Sequence, residues 1–219
     1  MVNTDFIMTN TSNFDNQLIN NLIDESVNYS YDNRDTSWIG SRFEKLIYLQ
    51  NDERGKWGEK FLFDLIMRVS KIESKWDGDC NTNPEDGGIY DILVNPTRKL
   101  RTEAKTAFSH DSDSEARNWQ HENIYAKSVW DKLVFLDVDY DKLYLTVLTP
   151  ENMEYLFKNE KDPILGKKAT LRKAQEDKWK FDCSPVTIKN AIDAGYTFCY
   201  NIDNPDVQGV ADHLVKHFG

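Results

Sequence analysis

Two carboxylates and one ammonium group carry the chemistry that this sequence is equipped to do. Asp91 follows Tyr90, and Glu103-Ala104-Lys105 begins twelve positions later. Hydrolysing a phosphodiester near neutral pH requires an activated water and a counter to the negative charge that develops. One or two divalent cations held by carboxylates supply both. Hard oxygen ligands suit Mg2+, with Mn2+ as a substitute, and Mg2+ keeps several of its waters, so few protein ligands suffice. A lysine beside the ion orients and acidifies the attacking water, or offsets phosphate charge.

These residues need neighbouring strands to meet. Ile89–Val94 and Leu100–Ala107 read as two short strands joined by the turn signal Asn95-Pro96-Thr97. Strand side chains alternate, so Arg101, Glu103 and Lys105 share one face, and the turn folds that face back beside Asp91. A bare Glu-x-Lys is cheap in a chain that is 29% charged, and two others occur, at Glu73-Ser74-Lys75 and Glu176-Asp177-Lys178. Only Glu103-Ala104-Lys105 lies on the second strand of a hairpin whose first strand carries an acid. A salt-bridged, exposed strand face does not explain Asp91 amid Ile92, Leu93 and Val94. Glu59 is the fourth candidate ligand. It projects from an apolar helical stripe through Leu62, Phe63 and Ile66, where a carboxylate needs a partner. Glu44 is the fallback.

The elements around this hairpin follow from hydrophobic period. Phe14–Val27 reads as a weak amphipathic helix. Phe43, Leu46, Ile47, Trp57, Phe61, Leu62, Leu65, Ile66 and Val69 recur at helical steps, with a break expected near Gly55–Gly58. Gly78–Gly88 and His110–Glu115 read as loops, and Trp119–Trp130 as a helix. Leu133–Val138, a continuous apolar run, reads as a doubly buried strand, and the turn Asp139-Tyr140-Asp141 leads to a strand at Tyr144–Leu148. Helices are expected around Glu151–Phe157 and Ala169–Lys178. Val186, Ile188, Ile192 and Tyr196–Tyr200 supply further packing groups. The predicted class is α/β, a mixed central sheet flanked by helices. A length of 219 residues predicts a single domain, with a core at about 41–150, an acidic helical extension over 1–40 and a basic segment within 151–219.

A formal charge of −10 argues against a generic polyanion binder. The charge is uneven. Residues 1–40 hold Asp5, Asp15, Asp24, Glu25, Asp32 and Asp35 against Arg34 alone. Residues 158–180 hold eight bases against four acids. If Ala169–Lys178 is a helix, Lys168 and Arg172 share a face beside Gln175. With Lys167 and Lys173 they form the expected DNA contact, the alternative being a solvated helix face. Cys80, Cys183 and Cys199 form no CxxC pair, so reduced thiols in a cytoplasm are expected. No apolar run approaches the roughly 20 residues that span a bilayer, and the start lacks a signal-peptide pattern. Neither a membrane partner nor an organic cofactor is expected.

The helix glutamate, strand Asp91, strand Glu103-Ala104-Lys105 and the following elements resemble the PD-(D/E)xK nuclease superfamily, the restriction-endonuclease-like fold. The resemblance covers roughly Glu44–Thr149. The run Trp119-Gln120-His121-Glu122-Asn123-Ile124, with Trp130-Asp131 and Asp141 to Tyr144, is similar to restriction-endonuclease-like proteins of bacteria and phages. Tyr90 stands where the family has proline, and Ile124, four residues after Gln120, stands where the RecB-like branch has tyrosine. The resemblance implies an αβββαβ core in which Asp91 and Glu103 bind the metal and Ala104 adds a backbone carbonyl. It also implies that Lys105 serves the attacking water and that Gln120 and His121 lie near the phosphate, although His121 reads equally well as a surface helix residue. The implied activity is a Mg2+-dependent endonuclease cutting double-stranded DNA, acting as a homodimer because two-fold symmetric sites suit a symmetric dimer. The alternatives are a phage or repair nuclease of branched or single-stranded DNA, and a non-catalytic protein that binds a protein partner or mimics DNA.

Overall fold

The helix that approaches the Asp91–Lys105 hairpin begins at a capping box. In the computed structural model, which describes residues 8–27, 38, 40–76, 90–109, 118–125, 130–152, 170–175 and 178–219, α2 spans Asn51–Asp64. Its N-cap Gln50 and Glu53 satisfy each other's backbone N–H groups, and the Gln50 N–H donates to Glu53 Oε2 at 2.8 Å. The helical stretch therefore breaks at Leu49 and Gln50, after a 3-10 turn at Glu44–Tyr48, and runs through Gly55 and Gly58. A π-helical turn at Leu65–Val69 ends it. Before it lies α1, Met8–Val27, whose Ile19, Leu22 and Ile23 are fully buried in the main core.

Six strands form the central sheet: β1 (Ser74–Lys75), β2 (Ile92–Val94), β3 (Leu100–Phe108), β5 (Lys132–Val138), β6 (Lys142–Leu148) and β9 (Thr197–Asn201), in that spatial order. Only β3 and β5 pair in parallel; the other pairs are antiparallel, so the sheet is mixed. A second sheet holds β4 (Trp119–Tyr125), β8 (Lys178–Cys183) and β7 (Thr170–Gln175) in the order β4-β8-β7. Two further helices, α3 (Pro185–Asp193) and α4 (Val207–Phe218), complete the described elements. The architecture is mixed α/β with a mixed central sheet flanked by helices, as the hydrophobic periods predict.

Strand alternation divides the core in two. Ile92, Val94, Ala104, Phe108, Val134, Leu136 and Val138 face α1, α2 and α4. Ala107, Leu133 and Phe135 face the other way, against Trp119, Ile124, Phe181 and Cys183 of the second sheet. Both faces of β5 are buried, which is why Leu133–Val138 reads as an unbroken apolar run.

Two expected helices are strands. Trp119–Trp130 contributes β4, and a bulge between His121 and Ile124, with Asn123 at φ 57°, interrupts its pairing with β8. The bulge shifts the alternation so that Trp119, His121 and Ile124 are all buried while Glu122 and Asn123 are exposed. That broken period imitates helical spacing. The stretch expected as a helix at Ala169–Lys178 gives β7 and the start of β8, again with a register shift, between Lys173 and Gln175. A shared helix face for Lys168 and Arg172 therefore does not exist: Arg172 and Lys173 are consecutive residues of β7, and Lys167 and Lys168 lie outside the described residues. The expected loops at Gly78–Gly88 and His110–Glu115 also lie outside them, as does the helix around Glu151–Phe157 beyond Asn152. Val186 and Ile192, expected to pack, are exposed on α3, whereas Ile188 is buried. Among the described residues no helix is long and apolar enough to cross a membrane.

Candidate metal centre at the β2–β3 hairpin

The hairpin sets Asp91 beside Glu103. Residues Asn95 to Lys99 make the turn, with left-handed Asn95 (φ 48°) and Lys99 (φ 53°) and with Arg98 and Lys99 N–H groups donating to the Asn95 carbonyl at 2.8 and 2.9 Å. Ile92 pairs with Thr102, and Asp91, just before β2, is held beside Thr102–Ala104 by its N–H donating to the Thr102 carbonyl at 3.0 Å. Lys105 lies two residues beyond Glu103, on the same face of β3.

Asp91 and Glu103 are buried, Lys105 is half-buried, and each depends electrostatically on the others. Asp91 is 9% exposed and Glu103 is 3% exposed. The Asp91 Oδ2 accepts the Ala104 N–H at 2.7 Å. A strand residue's N–H and C=O point to the same edge, so the Ala104 carbonyl is directed toward the Asp91 side of β3. Lys105 Nζ pairs with Glu103 Oε1 at 2.5 Å, while Glu103 Oε2 is buried with no hydrogen-bond partner among the described residues. Burial, then the charges of Glu103 and Glu59, push the Asp91 carboxyl up to about 8, against the pull of Lys105 and the Ala104 N–H. For Lys105 burial acts downward, but Glu103 and Asp91, with the Glu103 hydrogen bond and Glu59, carry its pKa above the ordinary lysine value.

α2 lies close against the face of β3 that carries Ala104, Thr106 and Phe108, the face opposite that of Glu103 and Lys105. A Cβ at Gly58 would lie 1.7 Å from Thr106 Oγ1, so only glycine lets the helix lie this near the strand. The next residue, Glu59, feels the charges of Lys105 and Glu103, and burial raises its pKa. Trp76 Nε1 donates to its Oε2 at 3.4 Å and orients the carboxylate. The cluster is thus three carboxylates and one ammonium, with one carboxyl driven toward protonation and one carboxylate oxygen unpartnered. Hard-oxygen donors of this kind suit a divalent cation, but the oxygens of Asp91, Glu103 and Glu59 do not all lie within 4.8 Å of one another as the His121, Asp137 and Cys183 donor atoms do. Glu44 points elsewhere, accepting the Gly40 N–H at 2.9 Å.

His121 does not reach this cluster as a phosphate ligand. Its side chain is wholly buried between the two sheets, and its Nε2 lies 2.7 Å from Asp137 Oδ1. Gln120, on the outward side of β4, accepts from Lys180 Nζ at 3.2 Å, and Lys180 also donates to Glu122 at 2.7 Å. With β4 a strand, one face carries His121 and the other Gln120, so the two cannot act on one phosphate together. The sequence reading missed Trp76 as the partner of Glu59. It also missed Asp137, an acid inside the run Leu133–Val138, which the argument applied to Asp91 would have singled out. No protein-family model matches the chain, and no curated protein matches it in sequence.

Proposed function

We propose that the chain is a metal-dependent nuclease that hydrolyses phosphodiester bonds, with Asp91, Glu103, Lys105 and Glu59 as its catalytic set and Mg2+ or Mn2+ as its ion. The observation that carries this reading is that the four residues lie near enough for their charges to act on one another, while Glu103 Oε2 is buried without a hydrogen-bond partner among the described residues. The element order helix, Asp hairpin and Glu-x-Lys strand, with β3 parallel to β5 and β6 returning antiparallel, supports a restriction-endonuclease-like core. The β3–β5 crossover departs from that pattern, since it passes through β4 of a second sheet where the resemblance implies a helix.

When bound, the ion supplies Lewis acidity to the scissile phosphate and a water of lowered pKa. Asp91 would hold the ion once it gave up the proton that burial and its carboxylate neighbours favour. Glu103 offers its unpaired oxygen to the ion while its other oxygen holds Lys105 in place. The Lys105 ammonium then stands where it can orient the attacking water and meet the charge developing on phosphate. Glu59, held by the Trp76 Nε1–H, would add a further acceptor beside the ion. Duplex DNA is the proposed substrate and a homodimer the proposed form, as symmetric cleavage of both strands requires two centres.

The test is incubation of supercoiled plasmid with the full chain and Mg2+, with chelator as control and Glu103→Gln and Lys105→Met as variants. Nicking or linearisation by wild type alone is expected. If wild type leaves duplex, single-stranded and branched DNA intact with both Mg2+ and Mn2+, the reading is wrong.

A further inference from the structure

A second group of ligand-type side chains lies between the two sheets, apart from the hairpin centre. His121 comes from β4, Asp137 from β5 and Cys183 from β8, and one donor atom from each lies within 4.8 Å of the others. All three residues are buried, at 1%, 0% and 3% exposure. The local strand phase brings them there: Asp137 follows Leu133 and Phe135 on the inward face of β5, His121 follows Trp119, and Cys183 follows Phe181, whose ring stacks on Phe135. His121 itself stacks on Phe135 at 4.1 Å, which fixes the imidazole plane.

The polar atoms here are not satisfied by one another. His121 Nε2 and Asp137 Oδ1 are in contact, yet His121 Nδ1 and Asp137 Oδ2 are buried without a hydrogen-bond partner among the described residues. An unpaired carboxylate oxygen in an aromatic core is destabilising unless something neutralises it. A hydrogen-bonded His-Asp pair alone leaves that oxygen and the adjacent thiol idle.

We infer that His121, Asp137 and Cys183 form a buried structural metal site for Zn2+, which ties the second sheet to the central one. The donor set decides the ion. Thiolate and imidazole favour zinc over the hard cations expected at Asp91 and Glu103. Zinc ligand atoms bonded at about 2.0–2.3 Å sit roughly 3–4 Å apart, and the donor atoms of this group, all within 4.8 Å of one another, need to close only part of that span. Asp137 can bind through both oxygens, giving four donors from three residues. On binding, the Cys183 thiol proton and any proton shared by His121 and Asp137 leave to solvent. Because the site is closed to solvent, the ion enters as the chain folds and its binding contributes to folding. The inference stands without the nuclease reading, since none of its ligands belongs to the hairpin cluster.

Full-length protein produced in zinc-supplemented medium and purified without chelator is assayed for metal content, and a parallel batch is produced with Co2+. Stoichiometric zinc is expected, together with a thiolate-to-cobalt charge-transfer band that Cys183→Ser abolishes and that Asp91→Ala with Glu103→Ala retains. Wild type containing neither zinc nor the cobalt band overturns the site, and this arm stands even if Cys183→Ser does not fold. A band that survives Cys183→Ser, or one lost with Asp91 and Glu103 replaced, equally overturns it.

Discussion

Replacing Asp91 by Asn should make the metal-free protein more stable at neutral and alkaline pH while removing its response to Mg2+. The magnitude follows from the carboxyl's displacement, from an ordinary 3.8 to about 8 in the fold. An acid with a raised folded pKa holds its proton in the native state after the unfolded chain has lost it. Its contribution is therefore fully present below the unfolded value and is lost as pH rises through about 8. At about pH 7 the lost stability is roughly three pKa units, or ~4 kcal/mol. That is an upper bound, because Glu103 and Glu59 share the repulsion. Taking half leaves ~2 kcal/mol, a Tm rise of roughly 4–8 °C for a chain of this size. Asn keeps an oxygen to accept the Ala104 N–H, so the substitution removes the charge and spares the hydrogen bond. Thermal melts of both proteins across pH, in chelator, measure the difference. Below about pH 3 the gap should close, as the wild-type carboxyl is then protonated in both states. With Mg2+ at about 100 times its Kd the wild type should gain ~2.7 kcal/mol and the variant should gain little. An Asn variant less stable than wild type at about pH 8 in chelator, or a gap that persists in acid, would refute the account of a repulsive cluster awaiting a cation.

Gly58→Ala should destabilise the chain by about 1–3 kcal/mol in chemical denaturation, because the new Cβ overlaps Thr106 and pushes α2 off β3. His121→Ala should lower stability by roughly 3–5 kcal/mol through the uncompensated Asp137 carboxylate, whereas a surface phosphate ligand would change denaturation midpoints hardly at all. His213, pushed down to about 4 by burial and by the neighbouring His217 and Lys216, is neutral in the fold. Its contribution is full above about pH 6.5 and lost as pH falls toward 4, so His213→Gln should flatten the acid limb of the Tm profile.

What the sequence made legible was local. The Asp91–Lys105 hairpin could be read because a short turn signal and period-two alternation act over few residues. The face shared by Glu103 and Lys105 follows from the same alternation. Glu59 was legible as a carboxylate on an apolar stripe, but the closeness of its helix to β3 was not. Gly58 looks like a helix break until its contact with Thr106, 48 positions away, is known. β4 and the β7–β8 hairpin were misread because bulges interrupt their alternation, and a bulge answers to the partner strand rather than to local sequence. The His121, Asp137 and Cys183 group was invisible for a related reason: its members lie on three strands, and only the packing of two sheets unites them.

The acidity of the chain and the composition of its centre impose one order of events on the nuclease reading. Among the described residues Lys105 is the cation that acts on Asp91, and Glu103 already pairs with it, so three carboxyl groups outnumber the ammonium that a phosphate would meet in the metal-free centre. With an overall charge of −10 there is no compensating long-range attraction from the chain as a whole. A divalent ion changes the sign of the centre. A unit charge about 4 Å from phosphate near a protein surface is worth ~4 kcal/mol before desolvation is subtracted. DNA affinity should therefore rise about tenfold or more on adding Mg2+ at constant ionic strength, equivalent to ~1.4 kcal/mol surviving desolvation. The cleavage-deficient Lys105→Met variant allows this to be read by fluorescence anisotropy of a labelled duplex without turnover. If it binds DNA equally well in chelator and in Mg2+, then a surface elsewhere, not the hairpin carboxylates and their ion, holds the substrate.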